Sequence, residues 1–109
     1  MYQGTTPALT LNVEDADLTD KTVFVTIRCG NYSLTKTGED VAVSYADGNS
    51  TVVIRLTQRE TLSMREVYAT VQIRFVDENG NADATNKATF NVNSVLYNAV
   101  IEYEGGDGE

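Results

Sequence analysis

A chain of 109 residues with a net charge of −8, one cysteine and no histidine excludes several functions at the outset. A lone cysteine forbids an internal disulfide, and without histidine the commonest proton shuttle and metal ligand near neutral pH is missing. Sixteen acidic residues against eight basic ones repel phosphate backbones and anionic bilayers, so neither nucleic acid nor membrane is expected as a partner.

Met1 to Thr6 reads as a polar lead-in closed by Pro7, a residue tolerated at a strand start because its missing N–H is not needed there. No basic region followed by an apolar run marks a signal peptide. Leu9, Leu11 and Val13 then alternate with Thr10 and Asn12, which predicts a first strand over Ala8 to Val13. Glu14 to Asp20 is an acidic connection with Leu18 turned inward. The second strand, Thr22 to Cys29, puts Val23, Val25 and Ile27 on one face and Phe24, Thr26 and Arg28 on the other.

Gly30-Asn31 turns the chain into a weaker third strand, Tyr32 to Thr37, around Leu34. Gly38-Glu39-Asp40 turns it again. Val41, Val43 and Tyr45 share one side of a fourth strand. Asp47-Gly48, a strong hairpin dipeptide, returns it through Ser50 to Leu56, where Val52, Ile54 and Leu56 alternate.

Thr57-Gln58-Arg59-Glu60 matches a capping box, so one helical turn is predicted over Gln58 to Leu62. The longest alternation follows: Val67, Ala69, Val71, Ile73 and Phe75 against Tyr68, Thr70, Gln72 and Arg74. Asn79-Gly80 reverses the chain, and Ala88, Phe90 and Val92 resume the period of two. The other strands are expected to pack on this hairpin. Val95 to Ile101 is apolar enough to pack as a last strand or a short helix. Glu102 to Glu109, with four carboxylates and three glycines, is expected to be a disordered tail outside a domain of residues 1–101.

Seven or eight short strands with turns between them and one helical turn define an all-β fold, a single two-layer β-sandwich of immunoglobulin-like type. The inward set is Leu9, Leu11, Val23, Val25, Ile27, Leu34, Val43, Val52, Ile54, Leu56, Val71, Ile73, Phe75 and Phe90.

Chemistry is hard to find. A hydrolase needs a base beside its nucleophile, and Cys29 on an alternating strand reads as a core residue. Two acidic loops invite comparison with calcium sites. In the second, Asp77, Asn79 and Asn81 hold alternate positions, but Ala82 stands where an EF-hand needs glycine and no glutamate follows at the required distance. Side chains folded back onto backbone N–H groups explain both loops. No catalytic residue, metal or cofactor is expected. Phe24, Tyr45, Tyr68 and Tyr97 are the candidate interaction surface, since aromatics on a sheet face seat partner chains or stack on sugar rings.

Taken in order, Gly4-Thr-Thr-Pro-Ala-Leu-Thr-Leu, Asp17-Leu-Thr-Asp-Lys-Thr-Val, Leu56-Thr-Gln-Arg-Glu-Thr and Asp77-Glu-Asn-Gly-Asn with a closing Phe90-Asn-Val carry a resemblance. The chain from Gly4 to Val92 resembles the N-terminal domain family of upper baseplate proteins and related small structural proteins of tailed phages of Gram-positive bacteria. That resemblance implies a non-enzymatic phage or prophage component, assembled into the virion in the host cytoplasm. It implies contacts with copies of itself, as a homo-oligomer, or with other tail or baseplate proteins. The alternative is a carbohydrate-binding sandwich that uses its exposed tyrosines.

Overall fold

The computed structural model describes residues 1–104. Among them eight strands form: β1 (Ala8–Val13), β2 (Thr22–Cys29), β3 (Tyr32–Thr37), β4 (Val41–Ala46), β5 (Asn49–Arg55), β6 (Tyr68–Val76), β7 (Ala82–Ala84) and β8 (Ala88–Asn91). One sheet has the order β1-β5-β4; the other runs β3-β2-β6, with β7 and β8 both on the far side of β6. All strand pairs are antiparallel. The turn at Gly38–Asp40 is a single 3-10 turn that carries the chain from one sheet to the other.

Register explains the core. Directly opposed residues in a ladder point to the same face. Ile27 lies opposite both Leu34 and Val71, and Val25 lies opposite Ile73. In the other sheet Val52 lies between Leu11 and Val43, and Ile54 between Leu9 and Val41. The central strands β2, β5 and β6 therefore bury Val23, Val25, Ile27, Val52, Ile54, Val71 and Ile73. Leu9, Leu11, Leu34, Val43, Phe75 and Phe90 belong to the same interior but are only half-buried, because they sit on outer strands or near strand ends. Leu62, Met64, Ala69 and Val92 complete the core from the helical turn and the ends of the hairpin.

Two expectations about the organising hairpin need correction. Val67, expected to continue the alternation of Ala69, Val71, Ile73 and Phe75, is 65% exposed. It precedes the first residue of β6, so the pleat that orients Ala69 and Val71 does not yet constrain its side chain. The return strand is also broken in two. Arg74 faces Ala84 and Val71 faces Ala88, so two residues of β6 oppose Thr85, Asn86 and Lys87. One extra residue on one side of a ladder is a β-bulge. Thr85 holds it together: its N–H donates to the Ile73 carbonyl (2.8 Å), and its hydroxyl accepts from the Ile73 N–H (3.1 Å).

The capping box forms as predicted, at the start of α1 (Gln58–Leu62). The Glu60 N–H donates to Thr57 Oγ1 (3.1 Å), and the Thr57 N–H donates to Glu60 Oε1 (2.8 Å). Glu60 also receives the Lys36 ammonium at 2.8 Å, tying the edge strand β3 to the helical turn. Burial works against the Glu60 carboxylate, but the Lys36 and Thr57 hydrogen bonds outweigh it and hold its pKa below the ordinary value. A depressed carboxylate contributes stability that is full above the unfolded value, about 4.3, and is lost as pH falls through the folded one. Glu60→Gln should therefore lower stability by about 1–2 kcal/mol at neutral pH. It should also flatten the acid limb of a stability-against-pH curve measured by urea unfolding; an unchanged acid limb would show that the pair contributes nothing.

At the termini the chain departs from a simple sandwich. Tyr2 forms a parallel bridge with Asn93 beyond the end of β8. The Met1 ammonium donates to the Asn91 carbonyl at 3.0 Å, and the Gln3 N–H to the Asn93 carbonyl at 2.9 Å. Buried Gln3 anchors this stub by donating to the Met64 carbonyl at 2.7 Å. Gly4, at φ +75°, then lets the chain swing across to β1, a backbone state that costs other residues dearly. Val95 to Ile101 is neither strand nor helix; it runs without regular structure along the surface. In the expected disordered tail, residues 102–104 are exposed and 105–109 lie outside the described residues.

The sheet order places the fold. Immunoglobulin domains set strands A, B, E and D in one sheet and C, F and G in the other. Here β1-β5-β4 corresponds to B-E-D, β2 and β6 to C and F, and the bulged pair β7–β8 to G. The architecture is an immunoglobulin-like β-sandwich in which the place of strand A beside β1 carries no strand among the described residues.

Candidate functional site

The consequence of that strand order is an open side. β1 and the β7–β8 edge face each other across a groove of about 690 Å³. Its floor is the core itself: Leu11 and Val13 from one sheet, and Val71, Ile73 and Phe75 from the other. Ala88 points inward opposite Val71 yet is exposed, because it lines the open groove. Glu14 and Asp83 stand on the lining, while Lys and Arg are absent from it among the described residues. The stub Met1–Gln3 runs beside Asn91 and Asn93, beyond the end of β8.

Among the described residues the β1 backbone is unpaired on this side. The Leu56 N–H donates to the Pro7 carbonyl at 3.0 Å, which makes Pro7 a hydrogen-bonded position of the ladder. Alternate residues follow suit, so Leu9, Leu11 and Val13 use their N–H and C=O groups on β5. Ala8, Thr10 and Asn12 direct theirs outward. Other sheet edges carry devices that discourage pairing. The β7–β8 edge is bulged, β3 turns charged Lys36 toward the inside, and β4 is tethered to β3 by the 3-10 turn. β1 has none of these between Ala8 and Val13.

The aromatic candidates do not form one surface. Phe24 and Tyr68 share the outer face of the larger sheet, but Phe24 pairs with Arg74, six residues along β6 from Tyr68. Six residues of strand span roughly 20 Å, too far to grip one sugar ring. Tyr45 lies opposite Ser50 at the end of β4 in the other sheet. Tyr97 is in the irregular segment beyond β8 and is 71% exposed. A shallow cleft between Phe24 and Tyr68, lined by Thr26, Arg28, Thr70, Gln72 and Lys87, contains no aromatic ring.

The acidic loops are occupied with their own backbone. Asp77 accepts from the Asn81 and Asn79 N–H groups, each at 2.9 Å, and those bonds hold its carboxyl below the usual range. Asp17 does the same with the hydroxyl and N–H of Thr19, with the same effect. Cys29 is buried, with Sγ 3.4 Å from the Glu66 N and 3.7 Å from its carbonyl oxygen. Among the described residues no three Cys, Asp or Glu side chains converge as metal ligands would.

No family model matches the chain, and no curated protein sequence matches it. Solved structures do. The cycloalternan-forming enzyme of Listeria monocytogenes, determined with a pentasaccharide substrate, contains a region 17% identical that superposes with a TM-score of 0.53 over 84% of this chain. An uncharacterized protein of Listeria monocytogenes EGD-e, determined with α-D-glucose, β-D-glucose, magnesium and calcium, gives the same figures. This chain spans 8% of the length of each. Murine CRIg, 11% identical over 88% of this chain, superposes too loosely to support anything, at a TM-score of 0.34. The likeness at this identity is one of fold: the chain is similar to a β-sandwich unit of a much larger enzyme.

The open edge is not legible in the sequence, although its ingredients are visible there. Thr10 and Asn12 are uncharged residues on a strand with no hairpin partner next to it in the chain. Pairing to the distant β5 leaves the other side of β1 free.

Proposed function

We propose that the protein is a non-catalytic assembly module that binds an extended segment of another chain by strand addition at β1. The observation that supports this is the combination on one side of the sandwich of an unpaired backbone edge and an apolar groove. Strand addition uses both: main-chain hydrogen bonds supply affinity, and alternate side chains entering the groove supply selectivity. The setting that the sequence resemblance suggests is a phage or prophage tail or baseplate, with neighbouring tail proteins or further copies as partners in a virion assembled in the host cytoplasm.

Thr10→Pro tests the proposal without disturbing the core. It removes an outward N–H that β5 does not use, and proline is tolerated on edge strands. A bead-displayed library of random peptides long enough to span β1 should yield sequences with alternating apolar residues on the wild type. Those peptides should bind Thr10→Pro at least tenfold more weakly, with the melting transition retained. No enrichment, or equal binding to both proteins, would overturn the proposal. The sugar-binding alternative predicts instead that a glycan array shows signals lost on Tyr45→Ala or Tyr68→Ala.

A further inference from the structure

The segment after β8 poses the complementary problem. Leu96, Tyr97, Val100, Ile101 and Tyr103 are all exposed, and Tyr103 is 90% exposed. A run this apolar on the surface of a small domain marks an interaction site. Its pattern is that of a strand. Val95, Tyr97, Ala99, Ile101 and Tyr103 alternate with Leu96, Asn98, Val100 and Glu102, so an extended conformation would have one wholly apolar face. The Gln58 side-chain amide holds its far end: Gln58 Nε2 donates to the Ile101 carbonyl at 2.9 Å, and the Ile101 N–H donates to Gln58 Oε1 at 2.8 Å. Gln58 thus imitates a strand partner for a segment that has none.

We propose that the occupant of the β1 edge is Val95–Tyr103 of a second copy of this chain, so that copies join head to tail. This rests on the strand-binding reading above and names its partner. Three features favour this occupant. The first is length: nine extended residues span about 30 Å, enough to run the whole of β1, which covers about 20 Å. The second is charge. Residues 95–101 carry none, and the acids at 102 and 104 follow. Laid antiparallel to β1, the segment brings Glu102 toward the Ala8 end, where Arg55 is the ladder partner of Ala8. The parallel arrangement would bring it to Glu14 and Asp83.

The third is the route. Within one chain, residues leaving Asn93 would have to turn back along the β8 edge to reach the groove. Met1–Gln3 already occupy that edge, hydrogen-bonded to Asn91 and Asn93. A neighbouring copy meets no such obstacle. The contact joins two different surfaces, so it is heterologous and generates a ring or an open filament.

The full-length chain tests this directly. Its mass in sedimentation equilibrium should rise with concentration beyond the monomer. Tyr97→Asp with Ile101→Asp, both at exposed positions, should remain monomeric with an unchanged melting transition, as should Thr10→Pro. Oxidising the double variant Asn12→Cys/Asn98→Cys should give a ladder of disulfide-linked oligomers on a non-reducing gel; buried Cys29 is shielded from competing. A cross-linked monomer would show that the segment folds back on its own chain, and a strict monomer without cross-links would show that it does not dock; either result overturns the proposal. Peptides that still bind the β1 edge in that case would leave the strand-binding reading standing.

Discussion

Val71→Asp should leave no cooperative thermal transition. Val71 is 4% exposed and lies opposite Ile27 in the middle of the larger sheet, beneath the three-stranded one. The substitution removes about 1.5–2 kcal/mol of apolar burial and places a carboxylate beside a groove whose lining holds neither Lys nor Arg among the described residues. An unpaired buried charge costs several kcal/mol more, a sum comparable to the whole stability of a domain this size. The groove is the one feature that works against this, since it brings solvent to the edge of the site. Ile27→Asp separates the effects, because Ile27 is fully enclosed and has no route to water. Circular dichroism melts should show both variants unfolded. A Val71→Asp melt near the wild-type temperature, beside an unfolded Ile27→Asp, would mean that the groove reaches deeper than the static structure shows.

Ser50→Ala should be the most damaging single-atom deletion. Ser50 is fully buried, and its hydroxyl is the hub of the acidic connection between β1 and β2. It accepts from the Leu18 N–H at 2.9 Å and donates to the Ala16 carbonyl at 2.7 Å. Those two bonds turn the loop inward and seat Leu18, itself fully buried, on the core. Removing the hydroxyl strands the buried Leu18 N–H and the half-buried Ala16 carbonyl, the fully buried group at about 1–3 kcal/mol and the other at less. A loss of roughly 2–4 kcal/mol is expected by urea unfolding, with the midpoint of a thermal melt falling by about 10–20 °C. A loss under about 1 kcal/mol would mean that water replaces the hydroxyl.

Much of this architecture is legible in the sequence because it depends on local period and turn chemistry. The alternations in β2, β5 and β6, the Asp47-Gly48 and Asn79-Gly80 reversals and the Thr57–Glu60 capping box each specify their structure within a few residues. Leu18 reads as inward from its place among acids, although the Ser50 bonds that seat it span more than thirty positions of chain. What was not legible depends on distant pairing. β1 bonds to β5 across the whole of β2 to β4, and no pattern within Ala8–Val13 says which of its sides that leaves open. The bulge at Thr85–Lys87 hides in the same way, since inward positions 85 and 88 keep plausible residues while the count between them slips by one. Val67 fits the alternation of β6 yet falls just outside its ladder. Residue type marks the aromatics as a candidate surface, but type alone does not say that Phe24, Tyr45, Tyr68 and Tyr97 end up on three separate surfaces.

The Met1–Gln3 stub bears on how the protein is handled at the bench. It runs parallel to β8 and its ammonium sits beside Asn91, so anything fused ahead of Met1 leaves the body alongside Thr89 and is aimed into the apolar cleft. A purification tag attached there becomes an intramolecular competitor at very high effective concentration. Binding and assembly measurements made on such a fusion would report the tag's affinity for the cleft as inactivity of the protein.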